Sequence, residues 1–293
     1  PLYLGMLGTH GTWAANRAID ASDLLIIIGA RVGDRAVATP GVLEKRTRVI
    51  HIDIDPAEIG KNMGTAIPLV GDAKHILHHL YDMTPGTDFS QWLVQVRQWR
   101  EEVSFDLEDR EGYINPRQLI RQLSAALPDD AVVVSDVGQN QIWTANNINV
   151  RPGGRFLTTG GMGTMGYSLP AAVGAQFADP GRAVVAVCGD GAFQMQMMEL
   201  ATICQENLSV KVILMKNGSL GMIRELQKNL YHGNYMAVGL EGGPDYIKIA
   251  GAYGIKAASI REQSQAEEAI QEMLRHPGPY LLQCLVRPDE PSH

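Results

Sequence analysis

With 293 residues, 45% of them hydrophobic and 19% charged, the chain is long enough for two packed domains and too apolar to remain disordered. A net charge of −7 without a Lys/Arg cluster excludes a nucleic-acid or anionic-membrane surface, which needs a concentrated positive field. An anionic ligand would have to be held by local dipoles or by a metal.

The longest apolar run, LLIIIGA at 24–30, falls far short of the ~20 residues of a membrane span. Cys188, Cys204 and Cys284 lie in apolar runs without C-x-x-C spacing, and they read as reduced core residues of a cytoplasmic protein. The opening PLYLGMLGTH has neither a basic start nor a signal-like apolar segment. A chain that opens at Pro1 without Met reads as a piece of a longer one.

Residues 1–80 alternate helix and strand signals: a helix at TWAANRAIDAS, a strand at DLLIIIGA and a strand at TRVIHIDID that ends at Pro56. The unbroken aliphatic character of DLLIIIGA predicts a parallel strand covered on both faces, with its exit at Gly29–Gly33 where an open sheet places ligands. Residues 81–115 turn polar and predict a linker. Within it, SQWLVQVRQWREEV predicts an amphipathic helix with Trp92, Val96 and Trp99 on one side.

From Pro116 the alternation is clearer. Helices are predicted at PRQLIRQLSAAL, YSLPAAVGAQFA, AFQMQMMELATICQEN, DYIKIAGAYG and SQAEEAIQEMLRH, and strands at AVVVSDVG, AVVAVCGDG, KVILMKNG, KAASI and YLLQCLV. A glycine-rich turn, TTGGMGTMG, lies between the first strand and the second helix. Strands separated by helices predict an α/β fold, with parallel sheets flanked by helices in both domains, 1–80 and 116–293.

The stretch from 185 to 216 reads as one βαβ unit, with Phe193, Met197, Leu200, Ala201 and Cys204 on the apolar face of its helix. Asp190 and Asn217, 27 residues apart, then leave the carboxyl ends of two parallel strands. If those strands are neighbours their backbones lie ~4.8 Å apart, and the two oxygen-bearing side chains reach a common point. A carboxylate and an amide oxygen suit Mg²⁺ or Ca²⁺ rather than zinc. Gly191 admits a phosphate close to the backbone, and the amides of Gly191 and Ala192 open a helix. The alternative is that Asp-Gly and Asn-Gly mark ordinary tight turns. GGMGTMG is not the G-x-G-x-x-G fingerprint, which removes the main support for a nicotinamide enzyme.

GDG, a helix and a strand-ending Asn resemble the diphosphate motif of thiamine diphosphate-dependent decarboxylases and carboligases. More narrowly, SDVGQNQIWTAN, TTGGMGTMGYSLPAAVGAQ and KNGSLGMI resemble the acetohydroxyacid synthase (acetolactate synthase) catalytic subunit, and LGMLGTHGTWAANRAIDASDLLIIIGARVGDR with VIHIDIDPAEIGKN resembles its FAD-binding middle domain. The resemblance implies that Asp190, Asn217 and the Ser219 carbonyl hold Mg²⁺. It also implies that Gly138, Gln139, Asn140, Gly191 and Ala192 hold the diphosphate. Gly163 and Met165 would line the thiazolium side, with Met165 propping the cofactor into its bent form, and Leu220, Gly221 and Met222 would close over it. An FAD is implied at Gly8, His10, Gly11, Arg31, Asp34, Arg35, Asp53 and Asp55.

The implied reaction decarboxylates pyruvate and joins its two-carbon fragment to a second 2-keto acid, in branched-chain amino acid biosynthesis. The implied assembly is a homodimer or tetramer with a small regulatory subunit. Four residues or segments depart from the family pattern: Lys216 for an Asn, Asn140 for a His, Leu226 for a Trp that selects the second substrate, and VGDR for FDDR. Glyoxylate carboligase, sulfoacetaldehyde acetyltransferase, oxalyl-CoA decarboxylase and a non-catalytic diphosphate-binding module stay open. No carboxylate here matches the family's activating glutamate, which belongs to an N-terminal domain, so the chain by itself is expected to be catalytically silent.

Overall fold

A computed structural model describes residues 2–84, 86–102 and 107–293. The chain divides into two units, Pro1–Ser104 and Phe105–His293. The division falls inside the stretch 81–115 read as a linker.

In the first unit, α1 (Trp13–Ala21) starts at Thr12, whose hydroxyl accepts from the Ala15 N–H at 3.1 Å. There follow β1 (Leu24–Ile28), α2 (Pro40–Leu43), β2 (Arg48–Asp53), β3 (Ile67–Val70), α3 (Ala73–Met83) and α4 (Ser90–Glu101). The strands pair in parallel in the order β1-β2-β3. Ile27 packs with Leu43, Val49 and Met63, whereas Leu24, Ile26 and Ile28 are 47%, 45% and 44% exposed. The expected cover on both faces of β1 is therefore not found within this unit. Strand period 2 divides the run into two faces, and the described residues give a core to one of them. Val96 and Trp99 of α4 pack on Ala14 and Ala18 of α1, with Trp92 edge-on to Trp99. The amphipathic helix thus belongs to the first unit's own packing.

The second unit runs α5 (Pro116–Ala126), β4 (Val132–Ser135), α6 (Gln139–Asn147), β5 (Arg155–Leu157), α7 (Ser168–Ala178), β6 (Val184–Gly189), α8 (Asp190–Gln196) and α9 (Glu199–Gln205). It continues with β7 (Lys211–Lys216), α10 (Gly221–Leu230), α11 (Tyr246–Ala252), β8 (Lys256–Ile260), α12 (Ala266–Arg275) and β9 (Tyr280–Leu285). The six strands form one all-parallel sheet in the order β5-β4-β6-β7-β9-β8.

Alternation along each strand feeds two cores. Val185, Val187, Ile213, Met215, Leu282 and Cys284 face α5 and α12, while Val184, Ala186, Cys188, Val212, Leu214 and Leu281 face α7, α9 and α11. Both faces of the sheet are covered, which is why its inner strands β4, β6, β7 and β9 are mostly apolar along their length.

The helix expected over AFQMQMMELATICQEN is two short helices, broken at Met197–Met198. Of the expected apolar face, Phe193 and Leu200 are buried together with Ile203, Met197 and Cys204 pack half-buried on the same core, and the Cys204 thiol donates to the Tyr253 carbonyl. Cys188 and Cys284 are fully buried, and burial pushes both thiols up from their ordinary range. Among the described residues no helix is long and apolar enough to cross a membrane.

Candidate cofactor site

The chain leaves β4 toward the edge strand β5, then returns to place β6 on the other side of β4. A parallel sheet opens a crevice beyond its carboxyl ends where the winding reverses in this way. A cleft of about 540 Å³, its solvent-open mouth included, lies there, lined by Val137–Asn140 after β4, Gly189–Ala192 at the end of β6, and Asn217 and Ser219–Ile223 after β7. Trp143, Met165 and Met215 complete its wall. Of the residues implied for thiamine diphosphate and Mg²⁺, the cleft gathers all but Gly163. That glycine sits on an exposed turn with φ +68°, outside the lining.

The βαβ reading of 185–216 rested on β6 and β7 being neighbours, and they are, with Gly189 paired to Met215. Asp190 and Asn217 therefore leave adjacent strand ends. One carboxylate oxygen of Asp190 accepts from the Gly218 N–H at 2.8 Å and the other from the Gly191 N–H at 3.1 Å. The Asn217 amide oxygen accepts from the Ser219 N–H at 3.0 Å, and its NH₂ donates to Gln139 Oε1 at 3.3 Å.

Burial pushes the Asp190 carboxyl above its ordinary value, opposed by those backbone donors and by the Lys216 charge. A cation at the cleft would favour the ionised form further. Lys216, the departure beside Asn217, places its ammonium 5.4 Å from the Tyr246 ring centroid. It adds positive charge near Asp190 without lining the cleft.

Among the described residues no three His, Cys, Asp or Glu side chains are grouped to hold a metal. One carboxylate, one amide oxygen and a main-chain carbonyl are too few for an all-protein cage. They fit Mg²⁺, which keeps water and phosphate oxygens in its shell. The wall of the cleft is closely packed at two glycines. A Cβ on Gly191 would stand 2.8 Å from Leu220 Cδ2 and 3.2 Å from Met165 Cε, and one on Gly221 would stand 1.9 Å from Gln139 Oε1. A side chain at either position would push these cleft-lining residues aside.

Two features keep the cleft open. The turn after β7 is tied to a passing segment, with the Leu220 N–H donating to the Val238 carbonyl and the Leu240 N–H to the Gly218 carbonyl, both at 2.8 Å. The second is Asp136, buried at the end of β4. Its carboxylate accepts from the N–H groups of Val137 at 2.8 Å, Gly166 at 2.9 Å and Ser168 at 2.7 Å. The turn that carries Met165 is thereby fixed to the strand end that carries Gly138.

Sequence reading passed over Asp136, Trp143, Met215 and Ile223. For Asp136 a signal existed: an Asp at a strand's end, just before a glycine turn. Asn140, standing where the family has His, donates its amide to the Asp136 carbonyl at 2.8 Å and belongs to the wall.

In the first unit, β1 and β2 end side by side, with Ile28 paired to Ile52. Arg31, Asp34 and Arg35 follow one strand end, and Asp53 and Asp55 lie at the other. The turn holding Gly8, His10 and Gly11 packs on the first segment, with the Thr9 N–H donating to the Arg35 carbonyl at 2.8 Å. Asp53 and Asp55 accept from the N–H groups of Asp55 and Ala57, each at 2.9 Å, and so shape their own turn.

Comparison with protein families agrees with this geometry. Residues 136–284 match the thiamine pyrophosphate enzyme C-terminal TPP binding domain, and residues 1–80 match the thiamine pyrophosphate enzyme central domain. The chain belongs to the thiamine pyrophosphate enzymes. Within that family it is 42% identical over 283 residues to the acetolactate synthase isozyme 2 large subunit of Escherichia coli, covering 96% of this chain and 51% of that protein. It is 40% identical over 301 residues to an acetolactate synthase of Arthrospira platensis (98% and 50%), and 37% identical over 298 residues to the acetolactate synthase large subunit of Cyanidium caldarium (99% and 51%). The chain spans about half the length of the curated relatives it matches.

Proposed function

We propose that the chain supplies the diphosphate-binding half of an acetolactate synthase-like active site, acting on pyruvate and a second 2-keto acid. The observation that carries this is the meeting of Asp190 and Asn217 at adjacent strand ends, beside Gly191, where the cleft wall admits no side chain. Asp190, Asn217 and the Ser219 carbonyl hold Mg²⁺, and Gly138, Gln139, Asn140, Gly191 and Ala192 surround the diphosphate. Leu220, Gly221 and Met222 cover it. Thiamine diphosphate, when bound, supplies the carbon nucleophile and the electron sink for loss of CO₂.

The chain's own work is to anchor, orient and exclude water. Met165 lines the cleft and would prop the bound cofactor there, as the resemblance implies. The turn that holds it is secured by Asp136, so Met165 cannot retreat with its turn without breaking the two hydrogen bonds from the Gly166 and Ser168 N–H groups. Leu226, on α10, is half exposed; an aliphatic side chain there leaves more space for the acceptor than an indole. An FAD in the first unit is supported by the shared edge that brings residues 8–11, 31–35 and 53–55 together. The names of the relatives, large subunits, support a place for this chain within a large subunit that has a partner subunit; a second copy and a small regulatory subunit are what the sequence resemblance implies.

The test is product analysis with the full-length protein and pyruvate, offered with and without 2-ketobutyrate, glyoxylate or sulfoacetaldehyde. The expected product is acetolactate, formed only with Mg²⁺ and thiamine diphosphate. Turnover of glyoxylate or sulfoacetaldehyde with none of pyruvate alone would overturn the assignment.

A further inference from the structure

After β9 the segment 286–293 turns back across the carboxyl ends of the second unit's strands, and it is anchored at three points. The Glu290 carboxylate is buried between two guanidinium groups, accepting from Arg117 Nη1 at 2.8 Å and from Arg110 Nε at 3.2 Å and Nη2 at 3.3 Å. The Pro291 carbonyl accepts from Arg117 Nη2 at 2.6 Å and from the Trp143 indole at 2.9 Å. Beyond it, the Ser292 N–H (3.2 Å) and hydroxyl both donate to the Glu225 carboxylate on α10.

Between these anchors the Glu290 carbonyl has no freedom, and it accepts from Gln139 Nε2 at 2.7 Å. The same NH₂ also donates to the Glu225 carboxylate at 3.2 Å, and with both hydrogens committed Gln139 turns its oxygen toward Asn217 and accepts from the Asn217 amide at 3.3 Å. That contact and the Ser219 N–H, which donates to the Asn217 oxygen at 3.0 Å, together decide which way round the Asn217 amide stands. The oxygen's second lone pair is left for the Asp190 side of the cleft. An amide reversed at this point would present a donor, not an acceptor, to a cation.

We propose that Glu290 is a positioning residue for the cofactor site: through its carbonyl it holds Gln139, jointly with Glu225, and Gln139 with the Ser219 N–H sets the orientation of the Asn217 amide. The proposal rests on the reading of Asp190 and Asn217 as cation ligands. It gives a role to a buried ion triad that would otherwise be a poor way to gain stability, since taking three charges out of water costs about what their attraction returns.

A double-mutant cycle in the full chain tests it, reading thiamine diphosphate affinity at saturating Mg²⁺. Glu290→Gln keeps the shape of the side chain and removes its charge, and Gln139→Ala removes the intermediary. Each is expected to weaken binding about tenfold, of the order of one strong hydrogen bond. Acting through one path, the pair together is expected to weaken it no more than the larger single loss. Losses that multiply to about a hundredfold would overturn the proposal.

Ser292→Ala leaves the ion triad in place and removes one donor to Glu225, the second acceptor of the Gln139 NH₂, so it loosens both the segment and Gln139. It is expected to weaken binding several-fold in the parent and to have no effect in Gln139→Ala; an equal effect in both would contradict the path. A measurement without ligand separates this proposal from the one beneath it. Hydrogen exchange at the Gln139 side-chain amide is expected to be slow in the parent chain and at least tenfold faster in Glu290→Gln. Equal exchange in the two overturns the positioning role. Absence of Mg²⁺-dependent cofactor binding in the parent overturns the site reading instead, and the exchange result then decides the contact to Gln139 on its own.

Discussion

Replacing Asp136 by Asn asks how much the frame of the cleft depends on one buried carboxylate. In the parent, one oxygen accepts from the Val137 and Gly166 N–H groups and the other from Ser168. An Asn offers one acceptor and one NH₂ group. In its better orientation it keeps the first pair and points a donor at the Ser168 N–H, which is left buried and unpaired. The loss is one hydrogen bond to a charged acceptor, about 1.5–3 kcal/mol, plus the weakening of two others from charged to neutral, about 0.5 kcal/mol or more each. The expected destabilisation is thus about 2–4 kcal/mol, read as a lowered urea midpoint with an unchanged slope. Cofactor affinity is expected to fall with it, because the freed turn carries Met165. A change under about 0.5 kcal/mol, the size of an ordinary surface substitution, would refute the assignment of Asp136 as the tie between the two turns.

Gly221→Ala places a methyl against the end of Gln139 and the Asn217 amide, so Gln139 has to leave its hydrogen bonds to Glu290 and Glu225. The expected result is a loss of at least tenfold in thiamine diphosphate affinity with a destabilisation of about 1–3 kcal/mol, measured by calorimetric titration and urea unfolding; parent-like affinity would contradict it. Lys211 is buried at the start of β7, its ammonium donating to the carbonyls of His276 and Gly278, and burial lowers it from 10.5 to about 8. The folded state then binds fewer protons than the unfolded state between those values, so this residue's burial penalty is full below about pH 8 and fades as pH rises toward 10.5. Stability of the parent relative to Lys211→Met is expected to increase from pH 8 to pH 10, and a flat or falling difference would show that the ammonium is not desolvated.

The second unit was legible where local chemistry and burial agree. Asn115 before Pro116 caps α5, with its side-chain oxygen accepting from the Arg117 N–H at 3.0 Å, and Asp245 caps α11 in the same manner. The aliphatic runs of β4, β6, β7 and β9 leave no alternative to a sheet buried on both faces. The pattern did not announce α6, which follows Gly138 without a side-chain cap, or α10, which starts at Gly221 and buries none of its residues. Those two helices carry Gln139, Met222 and Leu226, and the site was therefore less legible from residue patterns than the sheet beneath it. The break at Met197–Met198 was invisible because the apolar residues on either side continue a helical rhythm that tertiary packing overrides. Glu290 escaped notice for a different reason: its partners Arg110 and Arg117 lie 180 and 173 residues away, and no local pattern announces such a contact.

The central claim is that Asp190 and Asn217 hold a cation that carries a diphosphate. Calorimetric titration of the full chain with thiamine diphosphate, with Mg²⁺ and with chelator, in the parent and in Asp190→Ala, tests it most directly. The expected result is binding in the parent that disappears with chelator, and in Asp190→Ala a loss of at least about a hundredfold, since the one charged protein ligand of a hard cation has gone. Binding that persists in chelator, or an Asp190→Ala chain that binds like the parent, would contradict it.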